Sequence, residues 1–183
     1  MKESGLYSIG HGNKNIKDFI DELLFFDISY LIDVRSRPYS KSEFIQQFNQ
    51  DALSKSLSNI NIKYLFMGNE LGGLPKDDSC CTNGHVDYSK LKENTLFKGG
   101  LKRLINANNK HFKVALMCSE SNPVECHRAK LIGEELTKKG IYLKHIVKNK
   151  EILSQRKVME YVFPNGKNDL FGEIPLVSRR IVV

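Results

Sequence analysis

Short β-branched and aliphatic runs alternate with amphipathic stretches along this chain, and that alternation constrains its fold more than any single residue does. Leu6-Tyr7-Ser8-Ile9 reads as a first strand. A helix follows from Ile16 to Phe26, where Ile16, Phe19, Ile20, Leu23 and Leu24 recur at helical spacing and Asn15 stands at the N-cap position. Tyr30-Leu31-Ile32-Asp33-Val34 is a second strand, apolar on both faces as buried parallel strands are. The pattern continues with a helix over Asp51 to Leu57, a strand over Lys63 to Met67, a helix over Ser89 to Asn106 and a strand over Phe112 to Met117. A helix from Glu125 to Lys139, closed by Gly140, a fifth strand from Ile141 to Val147 and a helix from Ile152 to Val162 complete it. These elements predict a single α/β domain over residues 1–183, with a mostly parallel sheet of about five strands and helices on both faces. Two segments read as irregular: residues 68–86, where Gly72, Gly73, Pro75, Asp77, Asp78, Asn83 and Gly84 concentrate, and the tail after Pro164.

Composition narrows the function classes without choosing one. Twenty-eight Lys and Arg against 21 Asp and Glu leave a net charge of +7, which permits an anionic partner, small molecule or nucleic acid, but does not demand one. No apolar run approaches the roughly 18 residues that a membrane span needs. The residues ahead of the first strand carry no apolar signal core, so a cytoplasmic location is expected. In that compartment the four cysteines read as thiols or metal ligands before disulfides.

Open parallel sheets bind ligands beyond the carboxyl ends of their strands, and here those ends carry polar residues that a core does not need. The first strand ends in Gly10-His11-Gly12-Asn13, the second in Asp33-Val34-Arg35-Ser36-Arg37-Pro38-Tyr39, and the third runs into Glu70-Leu71-Gly72-Gly73. The fourth ends in Cys118-Ser119-Glu120, followed by Cys126-His127-Arg128 at the start of a helix. Four segments thus deliver His, Asp, Arg, Glu and Cys to one edge, a convergence that marks a site. His11 is compatible with a turn residue or with an acid/base group, and Asp33 with a structural ion pair to Arg35 or with a proton acceptor. Arg35 and Arg37 alternate, so an extended chain places both guanidinium groups on one side, as suits phosphate or carboxylate. Cys118 is open to three readings: an inert buried thiol, a nucleophile or redox group activated by a helix N-terminus, or, with Cys126 and a histidine, a metal ligand.

Familiar motifs mostly fail. The phosphate-loop lysine motif is absent, and a Cys-x5-Arg phosphatase loop would need Arg where Val124 stands. Arg128 lies ten residues after Cys118, too far for the compact loop of rhodanese-type sulfur transferases. Adjacent Cys80 and Cys81, with His85, lack zinc-knuckle spacing.

Taken together, the segments Ser8–Asn13, Ile32–Ser40, Glu70–Gly73, Ala115–Glu120 and Cys126–Arg128 resemble, in order and spacing, the bacterial and archaeal domain of unknown function 488. The resemblance implies an α/β fold and a shared site built from these motifs, and assigns no reaction. The Cys80-to-His85 segment departs from the pattern. The leading expectation is an enzyme with an anion-recognising pocket. Its candidate catalytic residues are Cys118, His11, Asp33, Glu120 and His127, and its candidate substrate-binding residues Arg35, Arg37, Tyr39, Glu70 and Arg128. Two alternatives stand beside it. One is a non-catalytic DNA- or RNA-binding module. The other is a protein that binds a transition metal through Cys118, Cys126 and His11 or His127.

Overall fold

The computed structural model describes residues 4–76, 78–170 and 172–181. Asp77, one of the residues that mark 68–86 as turn-rich, and the N-terminal residues 1–3 lie outside them. Along the chain, β1 (Leu6–Gly10) leads to α1 (Ile16–Phe25), β2 (Tyr30–Asp33), α2 (Gln50–Ser58), β3 (Lys63–Phe66) and the single turn α3 (Gly68–Leu71). Then come β4 (Cys81–Thr82), β5 (His85–Asp87), α4 (Tyr88–Leu91), α5 (Thr95–Asn109) and β6 (Val114–Cys118). A π-helical turn over Arg128–Gly133 runs into α6 (Glu134–Thr137), and β7 (Lys144–Ile146), β8 (Ile152–Ser154) and α7 (Gln155–Val162) follow. Short strands β9 (Asn168–Asp169), β10 (Gly172–Glu173) and β11 (Val177–Ile181) close the series.

The main sheet has the order β3-β2-β6-β1-β7-β8, parallel except where β8 runs against β7. It thus has six strands, one more than the apolar pattern predicts. The extra strand is the start of the stretch read as helix: Ile152–Ser154 pairs along β7, and the Ser154 hydroxyl then caps α7 by accepting from the Lys157 N–H. At the other end of the chain, the Asn15 side chain accepts from the Asp18 N–H at 2.8 Å, as the expected cap of α1.

Strand residues alternate between two cores, which is why these strands read as unbroken apolar runs. Val114, Leu116 and Cys118 join the core on the α5 side with Phe97, Leu101, Leu131, Ile132 and Leu136. Ala115 and Met117 join the other, with Phe19 and Leu23 of α1 and Leu53 and Leu57 of α2. Helices therefore cover both faces, and the carboxyl ends of β1, β2 and β6 emerge side by side.

Neither segment expected to be irregular is wholly so. Cys81–Thr82 and His85–Asp87 form a hairpin, and β11 from the C-terminal tail pairs with β5, making a second sheet of order β11-β5-β4. The stretch expected as one helix over 89–106 is two, α4 and α5, with Asn94 capping the second. The helix expected over 125–139 is a 3-10 turn at Pro123–Glu125, the π turn and α6; Gly140 follows it with φ of +74°, a conformation that favours glycine.

Candidate functional site

After β6 the chain passes directly over β1, close enough that a Cβ on Gly10 would lie 2.0 Å from the Glu120 carbonyl oxygen. The backbone N–H groups of His11 and Gly12 donate to the carbonyls of Cys118 and Ser119, each at 3.0 Å. The glycines flanking His11 are thus a packing requirement of two crossing strand ends. Gly73 serves in the same way on the far side: a Cβ there would stand 2.8 Å from the His127 ring.

The end of β6 and the turn after it build one cluster. The Cys118 thiol lies 2.8 Å from Glu120 Oε2, and the Cys126 sulfur lies 3.5 Å from the same oxygen. His127 Nδ1 is 3.9 Å from Cys118 Sγ and 3.7 Å from Cys126 Sγ. On its other side His127 Nε2 lies 3.1 Å from the Val34 carbonyl, which can only accept, so Nε2 carries a proton and Nδ1 is the nitrogen turned to the sulfurs. Arg128, fully buried, donates from Nε to Cys126 Sγ at 3.1 Å and from Nη2 to the Glu120 carbonyl at 2.6 Å. The ligand atoms of Cys118, Cys126 and His127 all lie within 4.8 Å of one another, the spacing of a group that can hold a metal ion.

The two thiols are not equivalent. Burial opposes charge on Cys126, but a hydrogen bond from Cys118 and the nearby Arg128 and His127 hold it well below the usual thiol range. Cys118 is pushed up by that same bond, by burial and by the charges of Cys126 and Glu120. Cys126 is therefore the thiolate of the pair and Cys118 its proton-bearing partner. Burial also opposes charge on His127, yet the Cys126 thiolate and Glu120 raise it.

A second cluster fills the ends of β1 and β2. Asp33 is completely buried and accepts from the Arg35 N–H at 3.0 Å, from Arg35 Nε at 2.9 Å and Nη2 at 2.6 Å, and from the Tyr64 hydroxyl at 2.6 Å. Arg35 Nη2 also reaches the Phe48 carbonyl at 2.7 Å, and Nη1 lies 3.3 Å from His11 Nε2. His11 stacks on the Phe48 ring with centroids 4.4 Å apart, and its Nδ1 lies 2.9 Å from the Gly12 carbonyl. Burial lowers the His11 pKa to about 4, so the ring is neutral near pH 7 and accepts from Arg35.

A cavity of about 170 Å³ opens above the first cluster. Cys118, Glu120 and His127 line it together with Arg35, Arg37 and Arg179. Cys126 and Arg128 stand behind this lining, and His11 and Asp33 lie below it, bound to Arg35. Tyr39 and Glu70 are elsewhere: Tyr39 is exposed and bonds to Asp51, and Glu70 pairs with Arg103 at 2.9 Å. His127, not His11, is the histidine that joins the cysteines. Sequence patterns gave no warning of Tyr88, Ser178 and Arg179, which the second sheet carries to the cavity wall. The Tyr88 N–H donates to the Leu176 carbonyl and the Val86 N–H to the Ser178 hydroxyl, both at 3.0 Å, and Arg179 pairs with Glu125. The Tyr88 hydroxyl stays protonated, pushed up by burial and by the charges of Cys126, Glu120 and Cys118.

Fold and site together define an α/β protein with two buried cysteines, a buried histidine and a half-buried glutamate clustered under an arginine-bearing cavity. The chain belongs to the family described as domain of unknown function DUF488, which it matches over residues 15–133, more than half of its length. The match takes in both cysteines of the cluster and stops short of the His11 motif. No curated protein and no solved structure matches the chain.

Proposed function

We propose that the chain is an enzyme that acts on a small anionic substrate, one bearing a phosphate or carboxylate, with the Cys118, Glu120, Cys126 and His127 cluster as its reacting group. One observation carries the reading: cationic and reactive side chains line the same cavity, Arg35, Arg37 and Arg179 with Cys118, Glu120 and His127. Arg35 is held rigid by Asp33, and Arg37 makes no ion pair among the described residues, which leaves its planar fork for an incoming anion. These cationic and reactive groups are gathered around one cavity of about 170 Å³, which suits a single anionic group better than an extended polynucleotide. Cys118 is the member of the thiol pair that a substrate can touch, and Glu120 is the base beside it.

Titration of inorganic phosphate into wild type and Arg37→Ala tests this. Loss of one charge-assisted contact, worth about 1.5–3 kcal/mol, predicts roughly ten- to a hundredfold weaker binding. Equal binding by both proteins overturns the reading. So does tight oligonucleotide binding with a steep salt dependence that phosphate fails to displace, because a non-catalytic nucleic-acid module behaves that way.

A further inference from the structure

Three electron-pair donors converge at the end of β6, Cys118 Sγ, Cys126 Sγ and His127 Nδ1, all within 4.8 Å of one another, and Glu120 Oε2 lies beside the two sulfurs. We infer that they form a tetrahedral site for a divalent transition metal of the zinc class, with Cys118, Cys126 and His127 as fixed ligands and Glu120 as an exchangeable fourth. The inference deepens the reading above by naming what the reacting cluster holds.

The geometry comes first. Zinc binds sulfur at about 2.3 Å and nitrogen or oxygen at about 2.0–2.2 Å, so the edges of its tetrahedron measure roughly 3.5–3.8 Å. The distances from His127 Nδ1 to the two sulfurs are 3.9 and 3.7 Å, and Cys126 Sγ to Glu120 Oε2 is 3.5 Å. Glu120 does not stand at the fourth vertex: its Oε2 is 2.8 Å from Cys118 Sγ and outside the 4.8 Å group formed by the other three atoms, so the carboxylate must move to admit an ion. Glu120 is only half-buried and lines the cavity, so it has room to do so. Cys126 and Arg128, packed behind, do not.

The surrounding atoms fit the same assignment. Metal-bound imidazoles donate their second N–H to a carbonyl or carboxylate, which fixes the tautomer and the ring. The 3.1 Å contact of His127 Nε2 with the Val34 carbonyl does this. Arg128 Nε donates to Cys126 Sγ at 3.1 Å. Two thiolates and one carboxylate bring three negative charges, which a divalent cation and the Arg128 guanidinium balance together. Soft sulfur with imidazole selects zinc-like ions over magnesium or calcium, which prefer oxygen. Gly73 leaves space for the ring, since a Cβ there would lie 2.8 Å from it. The position that Glu120 vacates faces the arginine-lined cavity, where a water or a substrate oxygen can take its place; structural zinc sites are closed instead.

The test is metal content and cobalt spectroscopy on the full chain, purified without tags and reloaded after chelation. Wild type is expected to bind one zinc per chain and, with cobalt, to show the intense thiolate-to-cobalt charge-transfer absorption of a tetrahedral two-sulfur site. Cys118→Ser and Cys126→Ser, each leaving a single thiolate, are expected to weaken that absorption markedly, and Glu120→Gln to keep it while binding zinc about 10–100-fold more weakly. Cys81→Ser, remote from the site, should change nothing. Should a serine variant fail to fold, the wild-type cobalt spectrum alone decides. No stoichiometric metal in reloaded wild type, or a cobalt spectrum without thiolate bands, overturns the inference. Phosphate affinity read on Arg37→Ala is a separate measurement, so failure of the metal site and failure of the anion pocket are told apart.

Discussion

Two buried polar clusters meet at the carboxyl edge of this sheet, and they use similar residues to opposite effect. At the ends of β1 and β2, Asp33, Arg35, His11 and Tyr64 form a closed circuit in which strong donors meet strong acceptors. At the end of β6, two sulfurs, a carboxylate oxygen and an imidazole nitrogen face one another, and Arg128 supplies a charged donor from behind. A circuit with its valences filled holds strand ends in place. An acceptor-rich cluster next to a cavity is unbalanced until a proton or a cation enters it. A histidine at this edge of the sheet is therefore not a role in itself: His11 belongs to the first cluster, His127 to the second, and the difference lies in what surrounds each ring.

The largest effect should come from opening the closed circuit. Asp33→Asn leaves the Arg35 guanidinium buried without its counter-charge, which costs about 3–5 kcal/mol of folding stability, measurable by urea denaturation. A loss below about 1 kcal/mol would mean that the circuit does not support the fold.

Acid should come next. Burial lowers His11 and His145 to about 4, against 6.5 for a free ring. Between those values the unfolded chain binds protons that the folded one refuses, so stability is complete above about pH 6.5 and is lost as pH falls toward 4. Each histidine contributes a slope approaching about 1.4 kcal/mol per pH unit. His145 sits in a chain from the Ser8 hydroxyl, 2.7 Å from Nδ1, to Gln155 Oε1, 2.8 Å from Nε2. Urea midpoints recorded from pH 7 to pH 4.5 should fall, and His145→Gln should flatten the profile by its share. An unchanged slope in that variant would show that the ring titrates normally.

The smallest effect belongs to Glu70, which pairs with the half-exposed Arg103 away from both clusters. Glu70→Gln should cost at most about 1 kcal/mol and leave phosphate and zinc binding alone. A large loss of either would place Glu70 back in the site.

Much of this was legible in the chain. Buried parallel strands show as apolar runs, and their polar ends mark the edge at which Arg35, Cys118, Glu120 and His127 line one cavity. What could not be read depends on distance or on a single extra backbone residue. Tyr88, Ser178 and Arg179 reach the cavity only because β5 pairs with β11, some ninety residues further on, as the separation of 92 between Val86 and Ser178 records. Apolar spacing does not separate an α turn from a π turn, so Arg128, a substrate-binding candidate at the start of an expected helix, is instead buried behind Cys126 on a π turn. Helical periodicity from 152 to 162 likewise hid a three-residue edge strand.

The central claim is that Cys118, with Cys126 behind it, sits in a cavity built to receive an anion. Site-resolved alkylation of the chelator-treated native protein, read by mass spectrometry with and without inorganic phosphate, tests it directly. Cys126 is the thiolate of the pair but is 1% exposed and outside the cavity, whereas Cys118 is 5% exposed and in the cavity wall. Access should decide, so Cys118 reacts first, slowly for a protonated thiol, and phosphate slows Cys118 alone. Equal labelling of the two thiols, or labelling of Cys118 that phosphate leaves unchanged, would contradict the account.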